Sequence, residues 1–215
     1  MSTVILYGTP GSPSTRIAQL GLEEKHVPHE LIEVVFGDHL KPPHLDRHPF
    51  GRVPVIDHDG FRLYEAQAIL RYLNAVHPEP SLCPREARAA ARMDQMIGIV
   101  DWYFHPQVST TITWQRLVVP RWGQQPDESV IARALPHAEV CVHEIARLLG
   151  SNPYVAGAQL SIADPMLAPH LSCFAMTTEG SDLVRAYPHL RDWLARMEAR
   201  PSMKNTDPFA TAPAA

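Results

Sequence analysis

The hydrophobic periodicity of this chain changes across residues 77–86, and that change limits the possible folds more than any other feature. The stretch "HPEPSLCPRE" carries Pro78, Pro80 and Pro84 within a few positions, and no regular helix or central strand can run through such spacing. Before it, short strand-like and helix-like segments alternate: "STVILYG", a helical run from about Pro13 to His26, "HELIEVV", a short helix, "VPVIDHDG", "FRLY" and "EAQAILRYLNAVHP". The order reads β-α-β-α-β-β-α. It predicts a four-stranded mixed sheet with a parallel crossover at the front and a hairpin at the back. "DHDG" at 57–60 supplies the hairpin turn, and Ala66, Ile69, Leu70 and Leu73 give the last helix one apolar face. After the break the pattern is helical only. Residues 86–119 and 127–149 read as long helices, the second with a stripe of Ala134, Ala138, Cys141, Ile145 and Leu148, and shorter helices follow. The expected architecture is therefore an α/β domain over 1–78, a linker over 79–86, and an all-helical domain over 87–215 whose tail becomes irregular from about residue 205.

Composition narrows the functional classes. The 215 residues are 45% apolar and 20% charged, with a formal net charge of -4. That is a globular composition without the basic field on which nucleic-acid binding rests. No apolar run approaches the ~18 residues of a spanning helix, and no export-signal pattern opens the chain. We expect a cytoplasmic protein that binds neither nucleic acid nor membrane. Cys83, Cys141 and Cys173 are odd in number and widely spaced, which encodes neither a disulfide framework nor a zinc site. His44 and His48 share a helical spacing, but Pro42, Pro43 and Pro49 leave room for only a short helix and no third ligand is evident, so no metal is expected. "SIAD" at 161–164 predicts a capping box. Ser161 would accept from the first helical amides while Asp164 reaches back to the Ser161 amide, a folding role and not a catalytic one.

Four words, in order, resemble the cytosolic glutathione transferases: "RIAQLGLEEK", "HPFGRVPVIDHDGFRLYEAQAILRYL", "YVAGAQLSIADPML" and "YPHLRDWLARMEARPS". The resemblance is nearly end to end. It implies a thioredoxin-like first domain that binds glutathione as co-substrate, a helical domain that supplies the wall for an apolar electrophile, and a homodimer acting in detoxification. Val53 and Pro54 match the family's position for a cis bond, where the Val53 backbone pairs with the extended tripeptide, a form of β-strand addition. The resemblance places Arg52 near the glycine carboxylate of glutathione and Glu65 near its γ-glutamyl ammonium. Ala66 departs from the family's serine, so only a helix N-terminal amide remains there for the γ-glutamyl carboxylate. Losing one hydrogen bond to a charged group costs ~1.5–3 kcal/mol. His39 and Lys41, in "GDHLKPP", match a phi-like loop in part, with Leu40 replacing a lysine; a solvated loop is the equal alternative.

Catalysis requires that a thiol of pKa about 8.5 become a thiolate near neutrality. Two units of lowering need ~2.7 kcal/mol. One hydroxyl donor, at ~1.5–3, together with a helix N-terminus, at ~0.3–1, suffices. Ser12 aligns with the catalytic serine of phi-like members, directly before a helix that begins at Pro13. Tyr7 is the runner-up, at the end of the first strand where tyrosine-type members carry their phenol, and Ser14 and Thr15 also compete. The aromatic stretch "DWYFHPQVSTTITW" offers Phe104, His105 and Trp114 as electrophile-site candidates, although most such residues are core. The alternatives to a conjugating transferase are a glutathione-dependent isomerase or dehalogenase, or a non-catalytic ligand carrier of the same fold.

Overall fold

The computed structural model describes residues 3–208. The chain forms two compact units, one comprising the described residues up to Leu82 and again from Ala199, the other spanning Cys83–Glu198.

In the first unit, β1 (Val4–Gly8), α1 (Pro13–Glu24), β2 (His29–Glu33), a 3-10 turn (Asp38–Leu40), α2 (His44–Arg47), β3 (Val55–His58), β4 (Phe61–Tyr64) and α3 (Ala66–Val76) follow in chain order. The sheet order is β2-β1-β3-β4. β1 and β2 are parallel with Val4 opposite His29, as the intervening α1 crossover requires, while β3 runs antiparallel to both β1 and β4. The β3–β4 turn is the expected two-residue hairpin. Asp59 and Gly60 both take positive φ (54° and 81°), and the Gly60 N–H donates to Asp57 Oδ1 at 3.0 Å.

Alternation along β1 buries Val4 and Leu6 against Ala18 and Leu22 of α1 and Ile69 and Leu73 of α3. The predicted apolar face of α3 is the observed one, with Ile69, Leu70 and Leu73 fully buried; Ala66, at the helix start, is only half-buried. Tyr7 points to the opposite sheet face, where the Arg47 guanidinium of α2 lies 4.3 Å from its ring centroid. The expected boundary shifts slightly. Buried Lys25 donates to Asn74 Oδ1 at 2.9 Å and to the Pro80 carbonyl, and Asn74 Oδ1 also accepts from the Leu82 amide at 2.8 Å. These bonds tie the proline-rich segment to the first unit as far as Leu82.

The second unit contains α4 (Ala87–Ile99), a widened π-helical stretch (Val100–Thr113), α5 (Trp114–Leu117), a 3-10 turn (Val119–Trp122), α6 (Glu128–Leu149), α7 (Ala163–Ala175), α8 (Thr178–Arg185) and α9 (Pro188–Glu198). The stripe predicted on α6 is buried along its length. The helix expected over 86–119 is not uniform. Pro106 has no amide to donate, and the hydroxyls of Thr110 and Thr111 bond back to the Pro106 and Gln107 carbonyls.

The capping box is realised by half. Asp164 Oδ2 accepts from the Ser161 amide at 2.8 Å, but the Ser161 hydroxyl donates to the same carboxylate at 3.0 Å instead of accepting from helical amides. Asp164 Oδ1 further accepts from the Val155 amide (2.9 Å) and the Trp193 indole (3.0 Å).

The 87–215 assignment needs a correction. α10 (Pro201–Asn205) belongs to the first unit, because Arg200, Met203 and Thr206 bond to α1. Thr206–Pro208 follow it outside any helix, and the rest of the tail expected to be irregular lies outside the described residues.

Candidate active site

Strand register gathers the candidate residues of the first unit at one end of the sheet. Gly8 ends β1 opposite Glu33, which ends β2; Tyr7 lies opposite Val55, which starts β3; and Val55 lies opposite Tyr64, which ends β4. The Ser12 turn, the 37–41 loop, the Val53–Pro54 segment and the Glu65–Ala66 junction therefore all lie at that end.

The turn after β1 distributes its hydroxyls unequally. Thr15 is 1% exposed, and its side chain occupies the space that a Cβ on Gly8 would need. Its Oγ1 accepts from the Thr9 amide (3.2 Å), and Thr9 Oγ1 donates to the Val34 carbonyl (2.6 Å). These two threonines weld the turn to the sheet. Gly11 takes φ 84°, which admits the reversal into α1.

Ser12 is the N-cap of α1, with φ -70° and ψ 123°, and Pro13 follows at the first helical position. Its Oγ accepts from the Thr15 amide at 3.4 Å, and no described residue accepts its proton. A capping serine uses a lone pair and a thiolate uses the proton, so the two roles do not compete; accepting from an amide also polarises the O–H for donation.

The peptide bond between Val53 and Pro54 is cis. No described residue bonds to the Val53 N–H or C=O, which leaves this backbone open to an added strand. Arg52 is exposed, and its carbonyl accepts from His44 Nε2 at 2.7 Å. His44 thus braces the segment, a role the sequence reading missed; the signal was its nearness to "HPFGRVP". His48 stacks on Tyr64 at 4.4 Å, and burial, reinforced by the neighbouring His44 and Arg52 charges, holds its pKa below the ordinary histidine value. Among the described residues, no group of three His, Cys, Asp or Glu is placed to hold a metal ion.

Glu65 precedes α3 with φ 71°, a strained backbone for a residue with a side chain, and its carboxylate caps no amide of α3. α3 begins at half-buried Ala66. In the 37–41 loop, His39 Nδ1 accepts from the Gly37 amide (3.1 Å), and Lys41 pairs with Asp38 (2.8 Å) on the surface.

In the second unit, Phe104 is fully buried, edge-on to Phe174 at 5.8 Å. Its packing makes it core, so it is corrected from the electrophile-site candidates. His105 and Trp114 are half-buried. The His105 ring lies 5.2 Å from that of His170, and Trp114 meets Trp122 at 5.4 Å. Burial, with the charge of His105 adding, lowers the His170 pKa to about 3, and its Nδ1 is 2.9 Å from Ser109 Oγ.

Comparison with known proteins agrees with this geometry. Residues 6–81 match the glutathione S-transferase N-terminal domain and 128–196 the glutathione S-transferase C-terminal domain. Glutathione S-transferase 4 of Zea mays is 30% identical over 208 residues, covering 96% of this chain and 92% of the maize protein. Glutathione transferase F7 of Populus trichocarpa superposes with a TM-score of 0.86 at 26% identity, covering 95% of this chain and 97% of the other. Maize glutathione S-transferase I, in complex with an atrazine–glutathione conjugate, superposes with a TM-score of 0.83 at 27% identity, covering 95% and 96%. With both domain matches in order, the chain belongs to the glutathione S-transferase family and is a glutathione transferase.

Proposed function

We propose that the Ser12 hydroxyl stabilises the glutathione thiolate, which then attacks an apolar electrophile by addition or substitution. The observation that carries this reading is the hydroxyl itself, which sits at a helix N-terminus, accepts from the Thr15 amide and donates its proton to no described residue. The O–H donates to the sulfur anion while the α1 N-terminus adds its dipole, and the two together reach the ~2.7 kcal/mol needed for a pKa near 6.5. Tyr7 is the weaker candidate because the Arg47 guanidinium covers its ring on the other sheet face.

The tripeptide would pair as an added strand with the open Val53 backbone beside Pro54. Arg52 would grip its glycine carboxylate, Glu65 its ammonium, and the helix N-terminus at Ala66 its γ-glutamyl carboxylate. His39 and Lys41 are secondary contacts, since both already have partners in their loop. His105 and Trp114 remain the electrophile-site candidates in the helical unit. The protein acts in this reading as a cytoplasmic homodimer.

Retention on immobilised glutathione, followed by conjugation of a chloronitroaromatic electrophile, tests the reading. Turnover that falls in Ser12→Ala and persists in Tyr7→Phe supports it; the opposite pattern transfers the role to Tyr7, and binding without turnover in the unmodified protein makes it a carrier.

A further inference from the structure

Residues 200–208 lie along α1 from one end to the other. Near the helix C-terminus, Glu24 accepts from Arg200 Nε at 2.7 Å and Nη2 at 2.6 Å and from the Ser202 hydroxyl, and Glu23 accepts from Asn205 Nδ2 at 2.9 Å. Two turns closer to Ser12, Arg16 is only 7% exposed. It donates from Nη2 to the Met203 carbonyl at 2.6 Å and from Nε to Thr206 Oγ1 at 3.3 Å. Pro208 then stands 4.0 Å from where a Cβ on Gly11 would be. The segment therefore runs antiparallel to α1 and ends against the turn that carries Ser12.

The first turn of α1 needs such support. Its cap bond, Ser12 Oγ to the Thr15 amide, is 3.4 Å long and weak, and terminal helical turns are the first to open. Arg16 is the residue whose amide closes the first helical bond onto the Ser12 carbonyl, at 3.0 Å. One residue thus bonds to Ser12 through its backbone and to the 200–208 segment through its side chain. A buried guanidinium holds its place only while its acceptors do.

We propose that Arg16 is a positioning residue for the thiolate step: clamped by Met203 and Thr206, it fixes the first turn of α1 and with it the direction of the Ser12 hydroxyl. This rests on the reading that Ser12 faces the sulfur. The clamp touches no reacting atom. Its loss lets the hydroxyl sample directions away from the sulfur, and misplacement on the scale of 1 Å is enough to affect the rate.

The test titrates the bound glutathione thiolate by ultraviolet absorbance in the full-length protein and in Ser12→Ala, Arg16→Gln, Arg16→Lys and Thr206→Val, with kcat at saturating glutathione and Tm measured alongside. Arg16→Gln should raise the bound thiol pKa and lower kcat on the order of tenfold. Thr206→Val should shift both in the same direction by less, and Arg16→Lys, which can still reach the Met203 carbonyl, should recover part of the loss. Thr206→Val, which keeps Arg16 and removes only the hydroxyl that accepts from Arg16 Nε and donates to the Ser202 carbonyl at 2.7 Å, decides the matter if Arg16→Gln does not fold. A lower Tm with unchanged thiol pKa and kcat makes the clamp purely structural and overturns the proposal. If Ser12→Ala moves the titration and the clamp variants do not, the clamp alone falls; if Ser12→Ala moves nothing, both readings fall together.

Discussion

Ser12 and Ser161 both stand at the start of a helix, yet their hydroxyls differ in what they have left to give. Ser161 is fully buried and donates to Asp164, whose oxygens also take the amides of Val155 and Ser161 and the indole of Trp193. Ser12 is partly exposed, accepts one long bond and donates to no described residue. A closed set of hydrogen bonds serves folding, because every buried group has its partner. A set left open by one proton, at a helix N-terminus, is ready for an anion.

The sharpest way to break this contrast is Asp164→Ala. It strands two amides and an indole N–H in the core and should cost at least ~3 kcal/mol in urea unfolding, while the folded fraction keeps its conjugation rate. A small stability loss would remove Asp164 from the centre of its network. Ser12→Ala should do the reverse. It should lower stability by only ~0.5–1 kcal/mol but reduce the conjugation rate by about tenfold to a hundredfold. Next in size is Ala66→Ser, which adds the hydroxyl that the family carries at the N-terminus of α3. Glutathione affinity, measured by calorimetry, should rise by about tenfold; no change would mean that the α3 amides are not where the γ-glutamyl carboxylate binds.

The smallest effect concerns the α1 clamp. Burial raises the Glu24 pKa, but hydrogen bonds from Arg200 and Ser202 and the Arg200 charge outweigh it and hold the pKa below the ordinary 4.5. A depressed carboxyl stabilises the fold fully above its unfolded value and loses that contribution as pH falls through the folded value. Denaturation midpoints taken stepwise below pH 4.5 should therefore decline less steeply in Glu24→Gln than in the unmodified protein; equal slopes would contradict the assignment.

What the sequence revealed and what it hid divide along the same physical line. The parallel crossover, the Asp59–Gly60 hairpin and the buried face of α3 follow from local periodicity and turn chemistry, and all three appear in the fold. The position of Ser12 as an N-cap was legible from Pro13 beside it. The brace from His44 to the Arg52 carbonyl was not, because the i, i+4 spacing of His44 and His48 suggested a different use for the ring. The clamp from Arg16 to Met203 and Thr206 joins residues nearly the whole chain apart, and no local pattern encodes such a pairing. Phe104 was indistinguishable in sequence from its exposed neighbours Trp102 and Tyr103, since aromatic residues crowd a π-helical stretch whose facing residues a 3.6 period does not predict.

The central claim is that the Ser12 proton lowers the glutathione thiol pKa. Ultraviolet titration of the bound thiol in the unmodified protein and in Ser12→Ala tests it directly. The account predicts a bound pKa well below the free value of about 8.5, returning by one to two units toward it when the hydroxyl is removed. An equally depressed pKa in Ser12→Ala would contradict it.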